Sequence, residues 1–357
     1  MRIPLPNRKI LGGVLHCSKG GKGMISKKKV AFLATGGTIA SVPTPEGFRP
    51  AFTEKEMLNL VPELSEIGDI EGKLIMNIDS SNMQPEDWII IARAVKDALY
   101  DFDGVVISHG TDTMAYTASA LTYMLTYLKK PVVITGAQKS LGEENNDARK
   151  NLIDSFKVAA SSQPGVFVVF DGKIIFGNRA SKMKTKSFDA FWSINSPYAG
   201  TVCEEGVKWD MKVLEAERLQ IRQVWDFIAT QEGINLEEKL PVALYDKLDP
   251  KVLLVKLYPG IEPETLLFAK ERGYHAVLIE SFGAGGVTFR PPRNLLPAVH
   301  ELIEAGIKVA VTTQVPFDGA NLTRYEVGIK ALEAGVISMG SDTKEAALVK
   351  LMLRCVK

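Results

Sequence analysis

The chain has 357 residues, of which 46% are hydrophobic and 24% charged, with a formal net charge of +1. Its length suits two domains or one large one, and its near-neutral balance lacks the basic face that a nucleic-acid binder needs. No apolar stretch is long enough to cross a bilayer. Three scattered cysteines, Cys17, Cys203 and Cys355, make neither a disulfide framework nor a metal-binding spacing, which fits a reducing compartment.

Residues 1–27 are basic, and their apolar stretch ILGGVL (10–15) is too short and too glycine-broken for a secretory signal. Lys19-Gly20-Gly21, just before Met24, can be encoded by codons that contain a bacterial ribosome-binding sequence. Translation is therefore expected to start at Met24, with residues 1–27 an extension that is unstructured or lies largely upstream of the natural start.

From Lys29 onward short β-branched runs alternate with amphipathic stretches. Val30–Ala34 is the first strand candidate and runs straight into ATGGTIAS (34–41). Lys73–Asn77 follows, then Asp79-Ser80-Ser81 and a helical pattern over Glu86–Tyr100. Gly104–Ser108 leads into His109-Gly110-Thr111-Asp112-Thr113 and a helical pattern over Thr113–Leu128. Pro131–Thr135 precedes Gly136-Ala137-Gln138, and Asp147–Ala160 reads as another helix before the strand Val166–Phe170. Residues 200–250 are more charged and read as a connection with one irregular helix. The strands Val252–Leu257, Ala276–Ile279 and Lys308–Thr312 come after it. Buried apolar strands alternating with helices predict an α/β protein. It would have a larger N-terminal parallel-sheet domain over 28–200, a connection over 201–250 and a smaller C-terminal α/β domain over 251–357.

In an open parallel sheet, ligands sit beyond the carboxyl ends of the strands. Each strand candidate is followed there by hydroxyls, glycines or a carboxylate: Thr35-Gly36-Gly37-Thr38, Asp79-Ser80-Ser81, Gly110-Thr111-Asp112 and Gly136-Ala137-Gln138. Taken singly, each has a plainer explanation. Gly36-Gly37 would serve as a turn, Asp112 would cap the helix beginning near Thr113, and the serines would cap the helix near Pro85. A phosphate cradle is excluded on detail, because TGGT is not GxGxxG and no GxxxxGK[ST] occurs. A threonine nucleophile needs a base, and a carboxylate is a weak one toward an alcohol. A lysine from the run Lys182, Lys184 and Lys186, oriented by Asp112, would serve, although spacing does not choose among the three.

TGGTIAS, DSSNMQPEDW and SHGTDTMAYTASAL together resemble the bacterial-type L-asparaginase/glutaminase family, and the short Asp-Ser-Ser form is most similar to its type I, cytoplasmic branch. ITGAQ, NRASKMKTKSFDAFWSIN, VLLVKLYPGI, ESFGAGG and YEVGIKALEAGVISMGSDTKEA extend the likeness through residue 351 or so, with a loose match over 204–249. The resemblance implies a flavodoxin-like N-terminal domain joined to a smaller α/β domain, assembled as a homodimer or homotetramer. It implies hydrolysis of L-asparagine to aspartate and ammonia through an acyl-enzyme, with glutamine as a second candidate substrate and with no cofactor or metal. By motif, Thr38 matches the first catalytic threonine and Thr111 the second. Asp112 and Lys182 complete the group with Thr111. Asp79, Ser80 and Ser81 match the substrate-binding segment, with Thr111 and Asp112, and Ala137 a backbone position near the side-chain amide.

Two departures from the family stand out. Many relatives carry a tyrosine in the lid loop after TGGTIA, where this chain has SVPTPEGFRP with Phe48 at the matching position. Either another group, such as a water or Glu46, activates Thr38, or Phe48 is an apolar lid anchor and the phenol is dispensable. The chain also stops soon after the helix beginning near Thr343, which would leave an apolar helix face exposed. Two alternatives to an active asparaginase follow. One is the amidase component of a tRNA-dependent amidotransferase, disfavoured because only 34 residues precede Thr35. The other is an inactive truncated relative, disfavoured by the intact Thr38, Thr111, Asp112 and Lys182.

Overall fold

Val30–Ala34, Val105–Ile107 and Val132–Ile134 are apolar at every position because both of their faces are covered, each residue being at most 3% exposed. The computed structural model describes residues 27–45, 47–50, 52–233 and 242–354. Met24, Cys17, Cys355 and Glu46 lie outside the described residues.

The three runs sit in the centre of an eight-stranded sheet. Its order is Gly206–Trp209, Gly200–Cys203, Lys173–Phe176, Gly165–Phe170, Pro131–Thr135, Gly104–Ser108, Lys28–Gly36 and Gly68–Ile78. The strands from Gly165–Phe170 to Gly68–Ile78 pair in parallel, and the other three are antiparallel additions at one end. Alternation along each strand divides two cores. Ala31, Leu33, Val105, Ile107, Val132 and Ile134 face the core that holds Trp88, Ile91 and Leu121. Val30, Phe32, Ala34, Val106 and Val133 face the other, where the rings of Phe32 and Phe156 stand 5.7 Å apart.

A second, four-stranded parallel sheet runs Val252–Lys256, Ala276–Ser281, Lys308–Thr313, Ile337–Ser338. Val277, Ile279, Val309 and Val311 pack on their own core, while Ala276, Leu278 and Ala310 join the first core of the large sheet. The expected α/β architecture of a large parallel-dominated sheet with a smaller α/β domain is therefore present.

Several local expectations are corrected. The helix expected over Thr113–Leu128 spans Met114–Met124. The chain leaves it because Leu125–Thr126 pairs with Ala243–Leu244, and Tyr127 turns with φ 54°. Residues 200–209, expected to be part of a connection, form a hairpin that extends the large sheet. The helix that follows, Met211–Glu232, is regular: Asp210 accepts from the N–H groups of Lys212 and Val213 at its start, and left-handed Gly233 ends it. The apolar face expected to be exposed near the end of the chain is covered. Ala346, Ala347, Val349, Leu351 and Leu353 of the helix Lys344–Arg354 are buried, because the helix lies between Met114–Met124 and the small sheet.

Candidate active site

The parallel strands Pro131–Thr135, Gly104–Ser108, Lys28–Gly36 and Gly68–Ile78 are neighbours, so the loops after them meet at one sheet edge. Glycines make the approach possible. Gly37 has φ 83°, and a Cβ there would stand 2.4 Å from the Gly110 backbone nitrogen. A Cβ on Gly110 would in turn stand 2.5 Å from Ser80 Oγ. These loops touch backbone to backbone or backbone to serine, with no room for a side chain.

Thr38 opens a short 3₁₀ turn, Thr38–Ala40, immediately after Gly37. It is half-buried between the fully buried Gly37 and Ile39. Its neighbours hold the frame: Thr35 Oγ1 donates to the Ser108 carbonyl at 2.8 Å, and Ser41 Oγ donates to the Gly37 carbonyl at 2.8 Å. Gly37 and Gly110 stand against each other, each one residue before a threonine, Thr38 and Thr111. The lid loop is a hairpin in which Phe48 pairs with Pro43.

Lys182 ends the strand Ala180–Lys182, which is paired with Phe191–Ser193. Its ammonium donates to Thr111 Oγ1 at 2.7 Å and to Asp112 Oδ1 at 2.7 Å. The lysine side chain is 17% exposed and that of Asp112 61%, which leaves the carboxylate open to solvent and to a ligand. The capping explanation of Asp112 does not hold, because Thr113 is the N-cap of the following helix and no side chain caps it. Of the three candidate lysines, Lys184 instead pairs with Asp189 at 2.5 Å. Lys182 is the one that reaches Thr111.

The Asp79–Ser81 segment lies beside this group. Asp79 Oδ1 accepts from the Ser81 N–H at 2.8 Å. Ser80, 3% exposed, accepts from the Asp112 N–H at 3.3 Å, and its carbonyl takes the Thr113 hydroxyl at 2.8 Å. Ser80 thus fixes the backbone that carries Thr111 and Asp112, while Asp79 and Ser81 remain exposed. Gln84, not a serine, caps the helix Pro85–Asp101.

Ala137 is fully buried between residues held from behind. Asp147 accepts from the N–H groups of Gln138 and Lys139 at 2.9–3.1 Å, and Asn151 donates to the Gly136 carbonyl at 3.0 Å. Burial pushes the Asp147 carboxyl up, and the backbone N–H groups that bond it pull the other way. Gln138 reaches forward. Its amide nitrogen donates to the carbonyls of Lys184 and Ser187 at 3.2 and 3.3 Å, and its amide oxygen accepts from Thr111 Oγ1 at 3.5 Å.

His109 is fully buried below Gly110. Nδ1 lies 2.7 Å from the Gly110 carbonyl and Nε2 2.9 Å from Thr117 Oγ1, so Nδ1 donates and Nε2 accepts. Desolvation lowers its pKa from 6.5 to about 4, and the ring is a neutral prop under the loop. Sequence reasoning named the loop and missed the roles of His109, Gln138 and Asp147. A polar residue directly after an apolar strand run was the signal available for His109, and one two residues further into the loop after such a run for Gln138.

A cavity of about 300 Å³ lies on the C-terminal-domain side of Lys182, walled by Ser181, Glu280, Lys344 and Glu345. Thr38, Thr111 and Asp112 do not line it. Among the described residues no three His, Cys, Asp or Glu side chains stand close enough to hold a metal ion, and no helix is long and apolar enough to cross a membrane.

Residues 29–215 match the family model described as Asparaginase, N-terminal, and residues 251–357 match the Glutaminase/Asparaginase C-terminal domain. The L-asparaginase of Thermococcus kodakarensis is 41% identical over 326 residues, which cover 91% of this chain and 92% of that protein. One component of the glutamyl-tRNA(Gln) amidotransferase of Pyrococcus abyssi is 39% identical over 334 residues, covering 91% of this chain and 71% of that protein. Among solved structures, the thermostable L-asparaginase from Thermococcus kodakarensis superposes with a TM-score of 0.79 at 40% identity, covering 91% of this chain and 92% of that one. L-asparaginase I from Vibrio cholerae gives a TM-score of 0.75 at 29% identity, covering 92% and 93%.

Proposed function

The chain belongs to the asparaginase family in both its N-terminal and its C-terminal domain, and from that membership we infer that this amidohydrolase converts L-asparagine to L-aspartate and ammonia with Thr38 as nucleophile. The observation that carries the mechanism is the Lys182 ammonium, 2.7 Å from both Thr111 Oγ1 and Asp112 Oδ1. It supplies the proton-transfer group that a threonine hydroxyl requires, at the sheet edge where Thr38 stands.

In this reading Thr38 Oγ1 attacks the side-chain amide carbon of asparagine. A C–O bond forms as the Thr38 hydroxyl proton passes to Thr111 and Thr111 gives its own to Lys182 in its neutral amine form, and the C–N bond breaks as Lys182 returns a proton to the departing nitrogen, which leaves as ammonia. Water then cleaves the ester, giving aspartate and restoring the Thr38 hydroxyl. Backbone N–H groups at the glycine-rich loops stabilise the oxyanion. Asp112, open on its solvent side, binds the α-ammonium. Asp79, Ser80 and Ser81 shape the pocket for the α-carboxylate end, and Ala137 contributes backbone near the amide. The site sits in a homodimer or homotetramer, acts in the cytoplasm and uses no cofactor.

The amidotransferase relative at 39% identity supports glutamine as a second substrate. One methylene of difference is worth only about 1–3 kcal/mol of discrimination. The test is ammonia release from asparagine, from glutamine and from buffer alone by the wild type and by Thr38→Ala. Release from asparagine that vanishes in the variant supports the reading. Full activity in Thr38→Ala would sink it.

A further inference from the structure

The helix Ala148–Ala160 begins on Asp147, and an aspartate in that position ordinarily caps the free N–H groups of its own helix. Asp147 does not. Its carboxylate, in a residue only 6% exposed, turns to the loop after the strand Pro131–Thr135 and accepts from the N–H groups of Gln138 and Lys139 at 3.0 and 2.9 Å. One turn on, Asn151 donates to the Gly136 carbonyl at 3.0 Å and to Asp147 Oδ2 at 3.2 Å. Its own oxygen accepts from the Asp171 N–H at 2.9 Å. Three consecutive peptide groups of the loop are thus held by two side chains that bond each other.

In a trans peptide the C=O and the N–H of one unit point in opposite directions. The Ala137–Gln138 unit is trans, and its N–H is turned to Asp147, so the Ala137 carbonyl faces away from that carboxylate. Among the described residues nothing donates to the Ala137 carbonyl. Buried backbone groups are nearly always paired, so an open carbonyl at this sheet edge has a hydrogen to receive from outside the chain. The loop also stands beside the proposed proton-transfer group, since a Cβ on Gly136 would lie 3.3 Å from Thr111 Cγ2. A substrate amide has NH₂ hydrogens to give there, whereas the product ends in a carboxylate that only accepts.

We propose that Asp147 is a positioning residue: by holding the N–H groups of Gln138 and Lys139 it aims the Ala137 carbonyl at the NH₂ of the substrate amide. The proposal rests on the reading of Ala137 as backbone beside that amide. Asp147 stands behind the loop and acts through it, with Asn151 fixing the carboxylate.

The experiment uses the full chain and the variants Asp147→Asn and Asn151→Ala. For each, kcat and KM are measured for asparagine, and Ki for aspartate as a competing product. Asp147→Asn keeps the size of the side chain but turns an NH₂ toward one of the two N–H groups. The expected result is a KM for asparagine raised about fivefold or more, with kcat lowered as well, because one hydrogen bond to the amide is lost. The Ki of aspartate should stay within about twofold of wild type, since a carboxylate gives that carbonyl nothing. Asn151→Ala should act in the same direction, raising KM by at least about twofold. Circular dichroism and thermal melting establish that each variant is folded, and Asn151→Ala carries the test if Asp147→Asn does not fold.

An unchanged KM overturns the proposal even where kcat falls, because a merely structural role lowers the amount of active enzyme and leaves its KM alone. A KM and a Ki raised equally also overturn it, since that marks a general deformation of the site. The underlying reading fails differently: the wild type itself would release no ammonia from asparagine, and the proposal would fall with it.

Discussion

Arg179 and Lys182 are three residues apart in NRASK, and each makes an ion pair, yet the two pairs are built oppositely. Arg179 and Glu217 meet at 3.0 Å with side chains only 3% and 4% exposed. Arg179 also donates to the Ser341 carbonyl and to Gln220, and so ties the long helix to the C-terminal domain. Lys182 and Asp112 meet at 2.7 Å with side chains 17% and 61% exposed, and the lysine divides itself between a carboxylate and a hydroxyl. The buried guanidinium is held in place from several sides, whereas the lysine is shared between a hydroxyl and an exposed carboxylate, which is the setting the proposed proton transfer needs.

The contrast can be broken by substitution. Thr38→Ala should give the largest effect, a loss of turnover of at least about a thousandfold with a melting temperature close to wild type. Lys182→Met is expected to lower kcat by about 10²–10⁴-fold, the usual share of a general acid–base group. It should change stability little, since its carboxylate partner stays in water. Arg179→Met should do the reverse. Removing one partner of a buried pair leaves Glu217 uncompensated, at a cost of about 3–5 kcal/mol in urea unfolding. Molecules that remain folded should keep most of their turnover per site. Should Arg179→Met abolish turnover without loss of stability, the two pairs would not differ as described.

His109 sharpens the same comparison on the pH axis. Its folded pKa, about 4, lies below the ordinary 6.5, so the unfolded chain binds the proton that the folded chain refuses. Its contribution is therefore whole above pH 6.5 and is lost as the pH falls toward about 4, amounting to roughly 3 kcal/mol. His109→Gln should flatten that part of the stability–pH curve relative to wild type, as read from urea midpoints at several pH values. The smallest effect is expected at the lid. Phe48→Tyr should leave kcat nearly as it is if Phe48 serves as an anchor, and a markedly raised kcat would show that a missing phenol limits Thr38.

Much of the molecule is legible in its sequence, and the reason is geometric. Apolar runs such as Val30–Ala34 and Val105–Ile107 can only be strands covered on both faces, and parallel strands bring their following loops to one edge. Motif likeness singles out Lys182 among three lysines, a choice that spacing alone leaves open. Other features depend on contacts distant in sequence. Nothing local to Leu125–Thr126 announces its partner Ala243–Leu244, and nothing in 200–209 shows that the hairpin belongs to the large sheet. The apolar residues of Lys344–Arg354 look unpartnered in sequence because the helix that covers them, Met114–Met124, lies more than two hundred residues earlier. Gln138 stands within a motif, but its contact to Thr111 spans 27 residues and its loop contacts 46 and 49.

The central claim is that Thr38 carries the acyl group. Wild-type protein mixed with asparagine, quenched in acid during the first turnover and digested for peptide mass mapping, tests it most directly. The expected result is an aspartyl ester on the peptide containing Thr38. An ester found instead on Thr111 would contradict the claim.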